Sequence, residues 1–446
     1  MKKAAVLSLA GAQLLLVTAV WLWHHTHHAM GNLLTGDAPD QWLAWARLTG
    51  LLAALALLFQ LVLAGRVRRV EQAFGLDRLT RVHHVTGFAL IALLLLHPVL
   101  ATQGHALQSD AGFWPQSVDF IQSWKGLLAA YLGLTLMLAA SAASVLVLTR
   151  RIAYHRWYAI HLVLYVAVAL TVLHQVTVGS DFTDHAAFRL YWYALYAGVA
   201  LALLAYRIAQ PLRAFARHRF VVERVVPETA EVTSVYIGGK DLGAFQAEAG
   251  QFLIVRFLAA GFRWEAHPFS LSRPPDGLSL RLSIKQVGDY TRRIPALKTG
   301  TRVLIEGPYG VLTAKACAAD RALLIAGGIG ITPLRSLTEA LVNKGREVTL
   351  LYANRTRGTM VFKKELEDLA KQSEARLTFV PIVSDEPAWP GEKGRIDRER
   401  LSRLVPDLKA RDVFLCGPPP MMKGLRVALA DLGVKSAQIH DERFAL

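Results

Sequence analysis

Cysteine is nearly missing from this sequence, with Cys317 and Cys416 the only two in 446 residues. That excludes a disulfide framework and equally a four-cysteine zinc or iron–sulfur site. Charge is scarce as well: Asp, Glu, Lys and Arg make up 19% of the chain against 53% hydrophobic residues, and the mean hydropathy is +0.32. A wholly soluble protein is not built from so apolar a composition. Internal repeats and low-complexity tracts are absent. There is no EF-hand loop, SH3 ligand or acidic regulatory tail, so the sequence predicts activity without calcium and without an obligatory regulatory subunit.

The apolar residues are concentrated before residue 210, in six runs near 4–23, 42–64, 80–101, 126–148, 157–177 and 188–207. Each is close to the ~20 residues that cross a bilayer as a helix. Basic residues flank alternate ends: Lys2 and Lys3, then Arg66, Arg68, Arg69, Arg78 and Arg81, then Arg150, Arg151 and Arg156, then Arg207, Arg213, Arg217 and Arg219. By the positive-inside rule both termini are expected in the cytosol. The formal charge of +16 then belongs beside anionic headgroups and needs no nucleic acid. "MKKAAVLSLAGAQLLLVTAVWLW" reads as an uncleaved first span, because no small-residue cleavage site precedes "HHTHH".

Beyond about residue 218 short β-like runs ("RFVVERVV", "VTSVYIG", "QFLIVRFL", "LSLRLSIK", "TRVLIEGPYG") predict a small antiparallel barrel. From about 320 strands alternate with helices, as a parallel sheet covered on its faces requires. Pro211, in "RIAQPLRAFARHR", is read as a stiff junction between the last span and the barrel.

The third run carries His83, His84 and His97, and the fifth carries His161 and His174. Ionisable side chains in a span are costly and are functional candidates. His83 and His97 are 14 residues apart, His161 and His174 13, so each pair is separated by about 20 Å along its helix. Both helices run in the same direction, which places His83 with His161 at one depth and His97 with His174 at another. Imidazoles facing each other across two helices suit the axial positions of a haem iron. The competing reading is four buried histidines hydrogen-bonded to neighbouring helices.

With its glycine at Gly87, the third span resembles the ferric reductase transmembrane domain of the NADPH oxidases and ferric reductases, and the soluble half resembles a ferredoxin-NADP reductase module. The resemblance implies a multidomain membrane protein of prokaryotic NADPH oxidase type. It would have a six-helix transmembrane bundle at 1–210, an antiparallel β-barrel FAD domain at 211–315 and an α/β NADPH-binding domain at 316–446. In "HPFSLS", His267, Pro268, Phe269 and Ser270 would shape the flavin pocket, and in "KQVGDYTRR", Lys285, Gly288, Thr291 and Arg292 would hold the pyrophosphate. "LLIAGGIGITPLRSL" puts Gly327, Gly328 and Gly330 after a strand, with Thr332 as helix cap and Pro333 at the first helical position. It lacks the third glycine of the dinucleotide fingerprint and matches the reductase module's own motif instead. Arg355 and Arg357 would read a 2′-phosphate, favouring NADPH over NADH. Cys416, Gly417 and Pro418 would hold the nicotinamide, and Phe444, beside Glu442, would cover the flavin ring. His83, His97, His161 and His174 would ligate two haem b groups. Arg47 would face the outer haem or an anion such as superoxide. The implied reaction passes electrons from cytosolic NADPH through FAD and both haems across a bacterial inner membrane to dioxygen. A ferric chelate or a periplasmic redox protein is the alternative acceptor, and the outer-face cluster His24 to His28 is a candidate for binding ferric or cupric ions.

Overall fold

The computed structural model describes residues 2–27, 37–148, 152, 154–178 and 185–442. Phe444, Arg150, Arg151 and His28 lie outside the described residues. The chain divides into two compact units, residues 1–70 with 79–204 and residues 71–78 with 205–446.

The first unit is helical: α1 (Lys2–His27), α2 (Ala38–Ala64), α3 (Arg68–Phe74, shared between the units), α4 (Leu76–Gln108), α5 (Phe113–Ser123), α6 (Leu127–Leu148), α7 (Tyr154–Val178) and α8 (Ala186–Leu203). Six helices among the described residues are long and apolar enough to cross a membrane. In α2 half of the most apolar window is buried, against 22% or less in the other five. It is therefore the helix the others surround. Two cores explain this. Ala44, Leu51 and Ala54 of α2 pack with Val17 and Trp21 of α1 and Trp192 of α8. Ala53 and Leu57, on its other side, pack with Leu90, Met137, Ala167 and Val168. Outward-facing side chains such as Leu15, Val85, Phe88 and Leu190 stay exposed, which suits a lipid environment and not water. The sequence reading foresaw no element at α5. Its Trp114, Val118 and Ile121 form one exposed apolar stripe, the pattern of a helix lying at a membrane surface.

In the second unit the five β-like runs are strands, and "HPFS" adds a sixth: β1 (Val221–Thr229), β2 (Val232–Gly238), β3 (Phe252–Phe257), β4 (His267–Ser270), β5 (Leu280–Lys285) and β6 (Val303–Tyr309). They form two three-stranded antiparallel sheets, β1-β2-β5 and β4-β3-β6, where a small antiparallel barrel was expected. At the two seams single bridges, Val221 to Arg302 and Leu271 to Leu282, join the sheets. The segment read as a stiff junction at Pro211 is helical: the helix runs through Ala186–His218 and is capped by Arg219 in the left-handed region, φ 48°. Pro211 is tolerated because it falls in the first turn after the π-helical segment Leu204–Ala209, where a missing N–H costs little.

The remaining strands are β7 (Arg321–Gly327), β8 (Glu347–Asn354), β9 (Leu377–Val383), β10 (Glu392–Lys393), β11 (Arg411–Cys416) and β12 (Ile439–Asp441). They make one parallel sheet in the order β10-β9-β8-β7-β11-β12. Side chains of β7 alternate between two cores. Ala322, Leu324 and Ala326 face one, Leu323 and Ile325 the other, as a sheet covered on both faces demands. Strand order reverses between β7 and β11, and ligands of such sheets bind outside the carboxyl ends at that reversal.

Candidate functional site

Within the helical unit the four histidines meet in two pairs. The ring centres of His83 and His161 are 6.2 Å apart and those of His97 and His174 6.4 Å. Two imidazoles bound to one metal ion from opposite sides, with bonds of about 2 Å, hold their ring centres about 6 Å apart. His84, next in sequence to His83, is exposed. Among the described residues no group of three or more His, Cys, Asp or Glu side chains is arranged to hold a metal ion. Each histidine pair would therefore need its remaining ligands from a cofactor.

The packing around the pairs shows which atoms are held. His97 Nδ1 lies 2.8 Å from the Ala46 carbonyl oxygen, so Nδ1 carries the proton and Nε2 keeps its lone pair. One turn along α2 is Gly50, where an added Cβ would lie 2.7 Å from His97 Cε1. Only glycine leaves room for that ring. Gly133 does the same for the helices, since a Cβ there would come within 2.9 Å of the Ala167 carbonyl oxygen. Gln60, buried on α2, donates from Nε2 to the His83 carbonyl (3.2 Å) and to Thr86 Oγ1 (2.8 Å). None of Gly50, Gly133 or Gln60 was singled out by sequence reasoning, although a polar Gln60 in an apolar run was a signal to follow.

A cavity of about 320 Å³ adjoins the second pair, lined by His97, His174, Arg47, His105, Trp124 and Tyr131 among others. It is mostly apolar, as cofactor sites are. Arg47 Nη1 and His174 Nδ1 are buried without a hydrogen-bond partner, an arrangement that is costly unless a ligand satisfies them. His105, from the last turn of α4, packs against Trp124 at 5.0 Å between ring centres.

In the second unit the carboxyl ends of β7 and β11 touch through glycine. A Cβ on Gly330 would lie 2.2 Å from the Cys416 carbonyl oxygen, and one on Gly417 would lie 3.1 Å from Gly327 Cα. The motif glycines thus serve backbone packing as well as any ligand. The helix α11 (Ile331–Asn343, counting Gln210–His218 as α9 and Asp289–Arg292 as α10) begins at Ile331, with Gly330 as its cap. This corrects the expected cap: Thr332 is the second helical residue, its hydroxyl donating back to the Ile329 carbonyl (3.0 Å), and Pro333 is the third, not the first. A cap without a side chain leaves first-turn N–H groups for a ligand, and a helix amino end favours an anion.

Arg355 and Arg357, just beyond β8, differ. Arg357 donates from Nε to Glu386 at 2.7 Å, whereas Arg355 is exposed and makes no ion pair among the described residues. In the short turn at Asp289–Arg292 the Thr291 hydroxyl accepts from the amides of Val287 (2.9 Å) and Gly288 (3.0 Å), so those amides already have a partner. Arg292 faces Asp289, and Lys285 pairs with Glu231 at 3.2 Å. On β4, Ser270 is buried and Pro268 exposed. His267 stacks 4.1 Å from the Tyr290 ring centre and contacts Glu265 at 3.1 Å. Phe269 packs on the core of the two sheets. Gly328 closes the turn after β7 at φ 53°, and Pro418 caps the helix that follows β11.

Cys416 is fully buried, and burial first, then the charges of Glu442 and Asp441, push its thiol well above the ordinary value of 9.0. It is a neutral thiol. Glu442 is 5% exposed, and its carboxyl is pushed up to about 8 by burial first and then by Asp77 and Glu71. A group that binds its proton more tightly when folded stabilises fully below its ordinary value, here 4.5, and loses that contribution as pH rises toward about 8. Glu442→Gln is expected to melt like the wild type near about pH 5 and at a higher temperature near about pH 8.5. Equal melting temperatures at the higher pH would show that folding does not raise the proton affinity of this carboxyl.

Three family models match the chain: a ferric reductase like transmembrane component over residues 49–172, an FAD-binding domain over 224–313 and an oxidoreductase NAD-binding domain over 324–426. The glycine betaine monooxygenase reductase subunit of Chromohalobacter salexigens is 28% identical over 238 residues, 51% of this chain and 64% of that protein. The ferredoxin reductase component of 3-ketosteroid-9-alpha-monooxygenase from Mycobacterium tuberculosis is 33% identical over 237 residues, 50% of this chain and 64% of that protein. The chain thus spans less than two thirds of the length of these relatives. The FAD/NAD-binding domain of nitric oxide dioxygenase from Vibrio cholerae is 27% identical, with a TM-score of 0.46 over 51% of this chain and 98% of that one. The chain has the architecture of the NADPH oxidases and ferric reductases, an integral membrane domain followed by FAD- and NAD-binding domains. It carries the parts of an NAD(P)H-dependent flavin oxidoreductase.

Proposed function

We propose that the protein passes electrons from cytosolic NADPH, through FAD and two haem b groups, across a bacterial inner membrane to dioxygen, giving superoxide. The observation that carries this is the pair of facing imidazole couples at 6.2 and 6.4 Å on α4 and α7. A porphyrin supplies four ligands of its own, so two histidines complete each iron. When bound, FAD would supply the conversion of two-electron hydride chemistry to one-electron transfer, and haem one-electron carriage.

The chain's own residues set the rest. His83 and His161 would hold the inner haem, and His97 and His174 the outer one. The Ala46 carbonyl keeps the proton on His97 Nδ1. Arg47, buried at the cavity with an unsatisfied Nη1, would meet a propionate, because a guanidinium pairs with a carboxylate through two parallel hydrogen bonds. Two histidines on each iron would leave the acceptor to be reduced without ligating the metal. Glycines 327, 328 and 330 and the amino end of α11 would receive the nucleotide diphosphate, and Arg355 the 2′-phosphate. Ser270, Thr291 and Arg292 would line the flavin site.

Steady-state NADPH oxidation with added FAD tests this, comparing dioxygen with ferric citrate as sink. Cytochrome c reduction blocked by superoxide dismutase is the expected result. Faster oxidation with ferric citrate and no such block would favour the second reading, a ferric-chelate reductase. One observation supports that reading: buried His24 meets His185, with Nδ1 3.1 Å from Nε2, which gathers histidines from two helices. For nucleotide choice, Arg355→Ala is expected to raise KM for NADPH about tenfold, the worth of one hydrogen bond to a charged group, and to leave KM for NADH unchanged. An equal rise for both nucleotides would place the 2′-phosphate elsewhere.

A further inference from the structure

The inner pair differs from the outer one in how its ligand is held. Ser144 lies on α6, directly after buried Ala143 and one turn beyond buried Ala140. Its hydroxyl donates to the Ala140 carbonyl at 2.9 Å. A serine hydroxyl has one hydrogen and two lone pairs, so once that hydrogen is committed Ser144 Oγ can only accept. It accepts from Trp157 Nε1 at 3.0 Å, an indole nitrogen that can only donate. The remaining lone pair faces His161 Nδ1 at 3.4 Å. Were the hydroxyl to turn and donate to His161 instead, it would exchange a 2.9 Å bond for a 3.4 Å one. Trp157 completes the clamp by packing its ring 5.0 Å from that of His161, at 33° between planes.

We infer that Ser144, oriented by Trp157, is the positioning residue of the inner haem: it fixes the proton of His161 on Nδ1 and so presents Nε2 to the iron. The inference rests on the haem reading above. A ligating histidine ordinarily gives its other N–H to an acceptor that sets its tautomer and strengthens it as a ligand. His97 has a backbone carbonyl in this role, which no side-chain substitution removes. His161 has a single hydroxyl, and that makes the inner site the one a point substitution can retune.

The test compares Ser144→Ala with Ser144→Thr in the full-length protein, reading haem per chain, the two midpoint potentials and the low-spin ferric resonance signals. Ser144→Ala removes the acceptor and weakens the imidazole as a donor. The ferric–ferrous equilibrium of one haem is expected to shift toward ferrous by up to about tenfold, which is about 59 mV positive for one electron. The other haem stays unchanged. Ser144→Thr keeps the hydroxyl and should restore the wild-type potential. If the alanine variant binds only one haem while the threonine variant binds two, the inference stands. Two haems with unaltered potentials in Ser144→Ala overturn it, and so does equal haem loss in both variants, which would mark a packing role only. Wild-type protein without haem would instead sink the underlying haem reading.

Discussion

Alanine at His97 or His174 is expected to leave purified protein with one of the two proposed haems, and to lower electron delivery to the proposed acceptor dioxygen by about a hundredfold or more. Each of these rings would be one ligand of the proposed outer iron, and the two face each other with ring centres 6.4 Å apart. Reduction of the flavin by NADPH should be unaffected, because that step precedes the membrane. A haem assay by absorption of the pyridine complex counts the groups, and stopped-flow bleaching of the flavin band follows the earlier step. Gly50→Ala should imitate the ligand variants from the opposite helix. Its Cβ would lie 2.7 Å from His97 Cε1, and the ring has little room to yield while Nδ1 is held by the Ala46 carbonyl at 2.8 Å. Retention of both haems in His97→Ala and His174→Ala would show that these histidines are merely buried polar groups.

The second large effect concerns stability. Arg281, on β5, has a side chain 3% exposed that donates to Glu365 at 2.7 and 3.1 Å. Arg335, on α11, reaches the same carboxylate at 3.0 Å. Glu365 is in the helix Lys363–Gln372, so one carboxylate ties a strand of the antiparallel sheets to two helices of the nucleotide-binding region. Arg281 also lies over the Phe362 ring at 4.4 Å. Glu365→Ala strands two buried guanidiniums, and it is expected to destabilise the second unit by about 3 kcal/mol, the scale for a buried pair broken on one side. Burial works to raise the Glu365 carboxyl, but the hydrogen bonds and charge of Arg281, then the charge of Arg335, hold it below its ordinary value of 4.5. Its contribution is therefore present above pH 4.5 and disappears as pH falls through the lowered value. Thermal unfolding of wild type and variant should converge in acid. A variant that melts with the wild type at neutral pH would show the network to be surface decoration.

The sheet and helix pattern was open to reading because its signals are local. Short, nearly unbroken apolar runs in "RALLIAGG" and "EVTLLYANR" suit strands covered on both faces, and β7 and β8 are such strands. Six apolar runs became six membrane-length helices for the same reason. Other features had no local signal. Thr332 looks like a helix cap by residue type, yet the close approach of Gly330 to the Cys416 carbonyl starts the helix earlier. Arg355 and Arg357 are alike in the sequence, and only Glu386, about thirty residues further on, separates them by engaging one. "HPFS" carried no strand pattern, having proline at its second position. It is a strand because β3 beside it supplies the partners, Val255 against His267 through Phe252 against Ser270.

What the sequence determined by itself is depth along the membrane normal: spacings of 14 and 13 residues and the fixed helical rise put four histidines at two levels. Rotation about each helix axis was decided only by tertiary packing. Which carbonyl holds His97, which hydroxyl holds His161 and which glycine admits a ring depend on how neighbouring helices turn toward one another. Side chains distant in the chain set that turn, through contacts that leave no period in the sequence.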